Sequence, residues 1–197
     1  PTSAKSPAKP TTATSKPQAH DNRVRIIAGA WRGRKLPFPS SEGLRPTGDR
    51  IRETLFNWLA SQLPTARVLD LFAGSGALGF EALSRGAAHC LMIEKSPTVA
   101  ASLKANAHTL KASNITIHNG CAEAWLAQAV TEPFDVVFID PPFALTQLSP
   151  SALAAQLAQR GLLQDEALIY VEQPRDTPLA LPKGFSLHRS LNAGQVT

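Results

Sequence analysis

A glycine-rich turn carries the first chemical signal in this chain. Asp70-Leu-Phe-Ala-Gly-Ser-Gly76-Ala-Leu-Gly79 holds the spacing G-x-G-x-x-G at 74–79, and Glu94 ends the next predicted strand. This spacing is typical of a dinucleotide site with a ribose-binding acid. Asp70 argues against a pyrophosphate, because its carboxylate would face two phosphate charges across the loop. It suits a ligand that has an ammonium group and no phosphate, such as S-adenosylmethionine (SAM), with Glu94 on the ribose. A turn that serves packing alone is the other interpretation.

The sequence Asp140-Pro-Pro-Phe143 is the second signal, and it directly follows a predicted buried strand. In open α/β sheets such a strand end borders the crevice that binds ligands. Consecutive prolines remove backbone donors and stiffen the turn, so that carbonyl oxygens and the Asp140 carboxylate are expected to point into this crevice. Phe143 offers a ring on which a base can stack. An amino group on a nucleobase requires such acceptors, and holding both of its hydrogens turns the nitrogen lone pair toward an incoming methyl group. The simpler alternative is a motif that only terminates a strand.

Alternating strands and helices must position these two motifs. Strands are predicted at Arg67–Phe72, Cys90–Glu94, Ile115–His118, Phe134–Asp140 and Ala167–Glu172. Helices are predicted at Ala77–Arg85, at Pro97–Leu110, in a short segment through Trp125, and from Ser149-Pro150 to Gly161. This order indicates a doubly wound, mostly parallel α/β sheet, and Phe185–Arg189 is expected to begin a C-terminal antiparallel hairpin.

The segment before this core is predicted to be a small β-hairpin, Val24–Ala28 with Arg34–Phe38, followed by a helix over Asp49–Ser61. The helix should bury Ile51, Leu55, Trp58 and Leu59, and should leave Arg50, Glu53 and Asn57 outward. The domain boundaries follow as a disordered low-complexity tail over 1–22, an N-terminal arm over 23–64, and the core over 65–197.

Charge separates the arm from the core. The whole chain of 197 residues has a net charge of +5, yet residues 23–52 hold eight Lys or Arg against two acids. Basic residues interleaved with Trp31 and Phe38 favour contact with nucleic acid over a merely soluble surface. The RNA-binding candidates are Arg23, Arg25, Arg32, Arg34, Lys35, Arg45 and Arg50.

Composition excludes other classes. No apolar run approaches the roughly 18 residues that a membrane span needs, and the N-terminus lacks a secretory apolar region. Two cysteines are too few for a disulfide scaffold, and the five histidines have no metal-ligand spacing. We therefore expect a cytoplasmic, monomeric protein with no metal.

The chain resembles the bacterial 16S rRNA guanine-N(2) methyltransferase family, whose members are class I SAM enzymes that act on the small ribosomal subunit. The resemblance spans 23–197, and Leu44-Arg-Pro-Thr47 with Arg52-Glu-Thr-Leu-Phe-Asn57 is its most specific part. The other matching stretches are Arg25–Leu36, Val68–Gly86, Asp140–Phe143, Ala167–Glu172 and Ala193–Val196.

The resemblance implies a Rossmann-like class I methyltransferase fold and assigns roles to individual residues. Asp140, Pro141, Pro142 and Phe143 would hold the target base, and the arm would dock 16S rRNA within a small-subunit particle. SAM would be held by Asp70, Phe72, Ala73, Gly74, Ser75, Gly76, Glu94, Lys95, Cys121, Ala122 and Asp140.

Two departures from the family pattern stand out. Cys121 occupies the position where relatives usually have an acid or amide that binds the adenine amino group of SAM. The final strand of the family normally continues with aromatic residues, whereas this chain stops at Thr197. The alternatives are a DNA or RNA adenine-amino methyltransferase, a non-catalytic SAM- or RNA-binding assembly factor, and an NAD-binding oxidoreductase.

Overall fold

The computed structural model of the chain describes residues 22–40, 47–142 and 149–192. Residues 1–21 of the predicted tail, Arg45, Phe143 and the 193–196 match lie outside these residues. The described elements follow one another in the order β1 Arg23–Arg25, β2 Lys35–Pro37, α1 Asp49–Trp58, β3 Arg67–Asp70, α2 Ala77–Ser84, β4 His89–Glu94, α3 Pro97–Leu110, β5 Ile115–Asn119, α4 Ala122–Gln128, β6 Phe134–Ile139, α5 Pro150–Gln159 and β7 Leu163–Val171. Among the described residues, no helix is long and apolar enough to cross a membrane.

Five strands form one parallel sheet in the order β5-β4-β3-β6-β7. Successive strands are added on one side of β3 up to β5 and on its other side from β6 onward, so that the carboxyl ends of β3 and β6 border the crevice in which ligands of open α/β sheets bind. Helices α1, α2 and α3 contribute to the apolar core on one face, and α4 and α5 contribute to the core on the other. The predicted doubly wound parallel α/β sheet is confirmed.

The predicted N-terminal hairpin is also confirmed. β1 and β2 pair antiparallel with Val24 opposite Leu36, and both side chains are buried against the core. The flanking basic residues point outward, because successive side chains of a strand alternate between its faces.

Helix α1 differs from its prediction in length and in its buried face. It ends at Trp58 rather than Ser61, with Leu59 as C-cap. Ile51 and Trp58 are only half-buried, whereas Phe56 and Arg52 are almost completely buried. Phe56 packs edge-on against Phe138 of the central sheet. The helix face that is buried therefore differs from the face that the apolar residues alone predict.

The predicted C-terminal hairpin is not present in the described residues. Phe185–Arg189 contains no strand, and the residues that would pair with it, 193–197, lie outside the described part. Pro174, Pro178 and Pro182 interrupt the approach to this segment, and proline cannot donate to a strand ladder. Strand β7 is instead longer than predicted, beginning at Leu163.

Candidate active site

Four acidic residues lie at the carboxyl edge of the sheet, one at the end of each of four neighbouring strands. Asp70 and Glu94 are the last residues of β3 and β4, and Asp140 and Glu172 directly follow β6 and β7. The predicted cofactor and base-binding motifs therefore meet at one edge. Glu172 is the member that the sequence analysis did not single out as functional; its position at the end of the fifth predicted strand was the available signal.

The glycine-rich turn joins β3 to α2 and has the backbone shape that its glycines predict. Gly76 is the N-cap of α2 and has a φ of 78°, in the left-handed region that glycine adopts without strain. A Cβ there would come within 2.6 Å of the Phe80 ring and 2.7 Å of Leu103. Any other residue would therefore strain the backbone and require the Phe80 and Leu103 side chains to shift.

Glu94 holds this turn in place. Its Oε2 accepts the Gly74 N–H at 2.9 Å, and its Oε1 accepts the Ser96 N–H at 2.7 Å. Each carboxylate oxygen can accept a second hydrogen bond. Glu94 can therefore stabilise the loop and still accept hydrogen bonds from the hydroxyls of a ribose, a role that stays a prediction.

Asp70 is a buried carboxylate with one oxygen left over. Its Oδ2 accepts the Gly79 N–H at 3.1 Å, whereas Oδ1 has no partner among the described residues. Burial and the nearby charge of Asp140 raise the pKa of Asp70 to about 7. A buried carboxylate is costly unless a cation meets it. This oxygen fits the ammonium group of the ligand that the sequence predicts.

The Asp140 carboxyl group lies at the end of β6, next to Asp70 at the end of β3, and it accepts a hydrogen bond from a residue of the N-terminal arm. The Thr47 hydroxyl donates to its Oδ2 at 3.0 Å. Burial and the charge of Glu172 raise the pKa of Asp140 to about 7, and the Thr47 hydrogen bond lowers it in part. Pro141 is buried and Pro142 half-buried, so the turn after Asp140 is packed against the protein. Phe143 lies outside the described residues, and its stacking role stays a prediction.

The other predicted cofactor residues surround the loop. Ala73 and Ser75 are buried, Phe72 and Gly74 are half-buried, and Lys95 is exposed directly after Glu94. The Ala73 N–H donates to the Ile93 carbonyl at 2.9 Å, which fixes the loop to β4.

Cys121 and Ala122 begin α4 beyond the end of β5. Cys121 is the N-cap, and its thiol donates to Glu123 Oε2 at 2.8 Å instead of capping the helix. Cys121 and Trp125 both line an open cleft of about 320 Å³ between β5 and α4. The structure brings Cys121 to the same edge as Glu94, because β5 pairs with β4 through Asn119 and Glu94.

The predicted RNA-binding residues of the arm form an exposed face. Arg23, Arg25, Arg32, Arg34, Lys35 and Arg50 are all exposed. Arg25 also forms an ion pair with Asp49 at 3.2 Å, and Arg34 donates to the Thr109 carbonyl on α3 at 3.4 Å.

A buried polar cluster attaches the arm to α2. Glu81 is fully buried and accepts the backbone N–H groups of Ile27 and Ala28 at 2.7 and 3.0 Å. Arg85 donates to the same carboxylate at 2.7 Å, and Arg52 lies 3.7 Å from it. Sequence analysis missed this cluster, because Arg52 and Glu81 lie far apart in the chain and the stretches that match the family do not show that these residues meet.

Ser84, one turn further along α2, adds three contacts to the arm. Its hydroxyl donates to the Ala28 carbonyl and accepts the Trp31 N–H, and its carbonyl accepts the Ala30 N–H. The approach is so close that a Cβ on Gly29 would lie 1.8 Å from the Ser84 oxygen. The arm is thus docked on the helix that begins at the glycine loop.

No group of three or more His, Cys, Asp or Glu side chains in the described ranges is placed to hold a metal ion. The acidic edge described above is spread over four strands.

A parallel sheet in this order, with a glycine-rich turn after its central strand and Asp-Pro-Pro after the neighbouring one, defines a Rossmann-like class I methyltransferase. The family model described as "Conserved hypothetical protein 95" matches residues 24–197. The chain belongs to the family of the ribosomal RNA small subunit methyltransferase D.

Individual relatives agree along most of their length. The ribosomal RNA small subunit methyltransferase D of Escherichia coli K12 is 53% identical over 175 residues, which cover 88% of this chain and 87% of the relative. The protein of the same name from Haemophilus influenzae is 49% identical, over 88% of this chain and 91% of its own. A solved structure of the Escherichia coli protein yhhF superposes with a TM-score of 0.81 at 48% identity, covering 89% of this chain and 94% of that one.

Proposed function

We propose that this protein transfers a methyl group from SAM to the exocyclic 2-amino group of a guanine in the 16S rRNA of the small ribosomal subunit. The observation that carries this proposal is the juxtaposition of Asp70 and Asp140 at the ends of the adjacent strands β3 and β6. One carboxylate suits the cationic cofactor and the other suits the amine that receives the methyl group. The rRNA substrate is inferred from the relatives, which are ribosomal RNA small subunit methyltransferases.

The residues that would hold SAM are those of the glycine loop and the next two strand ends. Asp70 Oδ1 would meet the ammonium group, Glu94 would receive the ribose hydroxyls, and the loop backbone would lie against the ligand. Lys95, Cys121 and Ala122 would border the adenine. When bound, SAM supplies a methyl group on a sulfonium that leaves as a neutral thioether.

Asp140 would orient the nucleophile. Because Thr47 donates to Oδ2, we assign Oδ1 as the oxygen that accepts an N–H of the guanine amino group. A carbonyl in the stiff Pro141-Pro142 turn would accept the second N–H. Holding both hydrogens directs the nitrogen lone pair toward the methyl group, and such positioning is a large part of the catalysis available for a group transfer. A carboxyl group whose pKa is raised to about 7 can also take up the proton that the methylated nitrogen releases.

The arm would position the RNA through its phosphates. Arg32, Arg34 and Lys35 are exposed on one side of the hairpin, and β2 packs on α3 through hydrogen bonds from Ser102 and Asn106 to the Pro37 carbonyl. Positive charge in this arrangement supplies affinity with little sequence dependence.

The proposal is tested with small subunits isolated from cells that lack the corresponding methylation. The protein and labelled SAM should introduce one methyl group, which nucleoside analysis should identify as N2-methylguanosine in 16S rRNA. Asp140→Ala should lower the rate at least about 100-fold while SAM affinity changes much less. Asp165→Ala, which removes an exposed acid from β7, is the matched control. A methylated adenine, or near-normal turnover of the Asp140→Ala variant, would overturn the proposal.

A further inference from the structure

Glu172 stands beside Asp140 because of the register of two parallel strands. Ile139 of β6 pairs with Val171 of β7, and the Glu172 N–H donates to the Ile139 carbonyl at 3.0 Å. The next residue of β6 is Asp140. Neighbouring strands are about 4.8 Å apart, so the two carboxyl-bearing residues leave the sheet side by side.

The side chain of Glu172 is held in place by its own strand. The Tyr170 hydroxyl donates to Glu172 Oε2 at 3.0 Å, and residues two apart in a strand lie on the same face. The Tyr170 ring packs edge-on against Phe138 with centroids 6.4 Å apart, which fixes the donor. Glu172 is therefore a half-buried carboxylate with a defined position, not a mobile surface acid.

This placement has an electrostatic cost. Burial raises the pKa of Glu172, and the charge of Glu172 in turn raises the pKa of Asp140. Each of two adjacent carboxyl groups disfavours the ionised form of the other, unless hydrogen-bond donors from a ligand lie between them. The ligand expected here is the target base, which must bring its amino group to Asp140.

Guanine and adenine differ in what they present to such a pair. Guanine has two neighbouring kinds of donor on its Watson–Crick edge, the N1–H and the 2-amino group. Adenine also has an amino group on that edge, but its ring N1 is an acceptor and would face a carboxylate without a proton between them. A site that hydrogen-bonds a substrate group strongly rejects an analogue that lacks it.

We propose that Glu172 is a specificity-determining residue that accepts the N1–H of the target guanine while Asp140 accepts a hydrogen of its 2-amino group. This inference rests on the proposed function. Glu172, at the end of β7, would select guanine over adenine, whereas the Asp-Pro-Pro turn can hold the amino group of either base.

The experiment uses small-subunit rRNA in which the target guanosine, first mapped with the parent protein, is replaced by 2-aminopurine. This base keeps the 2-amino group and lacks both the N1–H and the 6-oxo group, so the contact at N1 is read from the change that a Glu172 variant makes in the preference. The parent protein should prefer guanine by about 100-fold or more in kcat/KM. Glu172→Gln should gain activity on 2-aminopurine, because its amide can donate to the unprotonated N1, and should lose part of its activity on guanine, because its amide oxygen is an uncharged and weaker acceptor for the N1–H. The preference should fall to within about tenfold.

Glu166→Gln makes the same chemical change at an exposed position of β7 and should keep the parental preference. SAM affinity and Tm of all variants are measured alongside. An unchanged preference in a Glu172→Gln variant of parental Tm would overturn the inference. If that variant does not fold, Glu172→Asp decides, because it keeps the carboxylate and withdraws it by one methylene: an unchanged rate on guanine overturns the inference, and a lower rate at parental SAM affinity supports it. Failure of the parent protein to methylate guanine at all would instead overturn the proposed function.

Discussion

The Thr47 hydroxyl donates a hydrogen bond to Asp140 Oδ2 over 3.0 Å, and it joins two residues that lie 93 positions apart. Thr47 is buried just before α1, and Asp140 follows β6. The segment that leads from the basic arm into the core thus contacts the proposed base-holding residue directly. The hydrogen bond leaves one Asp140 oxygen for a substrate and fixes the direction in which it points.

Thr47→Val keeps the shape of the side chain and removes this donor. We expect kcat to fall by about 10- to 100-fold, since a hydrogen bond to a charged group contributes about 1.5–3 kcal/mol. SAM affinity should stay within about twofold of the parent. Single-turnover methylation and calorimetric titration with S-adenosylhomocysteine measure the two effects. Thr47→Ser restores the hydroxyl and should recover most of the rate; equal rates for the Val and Ser variants would refute a positioning role.

Binding of SAM should release a proton from Asp70. The pKa of Asp70 is raised to about 7, so below that pH the carboxyl group is mainly protonated, and a cationic ligand favours its ionised form. Affinity should therefore increase as the pH rises from 5.5 to about 7 and then level off. Titration calorimetry in buffers of different ionisation enthalpy counts the proton. Asp70→Asn should bind more weakly and lose most of the pH dependence; a parental pH profile in this variant would place the titrating group elsewhere.

The exposed basic face of the arm should set the salt dependence of RNA binding. Replacing Arg32 and Lys35 by Ala should make the slope of log affinity against log salt shallower by about one to two units. Fluorescence titration of an rRNA fragment at several salt concentrations measures the slope. Arg175→Ala with Lys183→Ala removes the same two charge types from the exposed segment after β7 and should leave it unchanged. Identical slopes in both double variants would show that the arm does not meet phosphates.

Glu81 should be among the residues whose loss destabilises the fold most. Its carboxylate joins two arm N–H groups to Arg85 and Arg52, and the Arg52 side chain is only 1% exposed. Removing one partner of a buried ion pair costs about 3–5 kcal/mol, because the other charge is left buried. Glu81→Gln should therefore lower Tm by about 6 to 20 °C. Glu53→Gln on the exposed side of α1 should change Tm little, and a similarly small shift at Glu81 would contradict the attachment described.

Cys121 offers a test of where the adenine of SAM lies. An aspartate there would supply a charge-assisted acceptor for the adenine amino group, but Glu123 lies within hydrogen-bonding distance of the present thiol. In a Glu123→Gln background, Cys121→Asp should tighten binding of S-adenosylhomocysteine about tenfold. The same change beside an intact Glu123 should gain less, because the two carboxylates repel. The helix itself should gain about 1 kcal/mol from an aspartate N-cap, so Tm alone does not answer the question. Unchanged affinity in the double variant would mean that Cys121 does not face the adenine.

The sheet and its edge were predictable because each depends on local patterns. Short apolar runs that alternate with helical periodicity gave all five parallel strands, and parallel order brings Asp70, Glu94 and Asp140 to the same edge. Element ends were less predictable. The apolar Leu71-Phe72 extends the pattern of β3, yet the backbone turns after Asp70 to begin the loop.

The contacts that hold the arm and refine the site were not predictable from one sequence. Arg52 is the same residue type as the exposed Arg50 two positions before it. Only the fold shows that Arg52 is buried and forms ion pairs with Glu81 and Asp49. The Thr47–Asp140 hydrogen bond joins distant residues without a periodic signal. The neighbourhood of Glu172 and Asp140 depends on a strand register that hydrophobic patterns fix only approximately.

The hydrogen bonds of Glu81 and Ser84 to residues 27–31 limit how the arm can be transferred to another protein by engineering. A basic hairpin is an attractive part to transplant, but this one folds against α2 of the core and forms four hydrogen bonds with two side chains there. A graft of residues 23–40 onto another methyltransferase of this fold would need acid and serine at the matching turns of the recipient helix, and glycine opposite the serine. Without them, the transplanted hairpin would keep its charges and lose its shape.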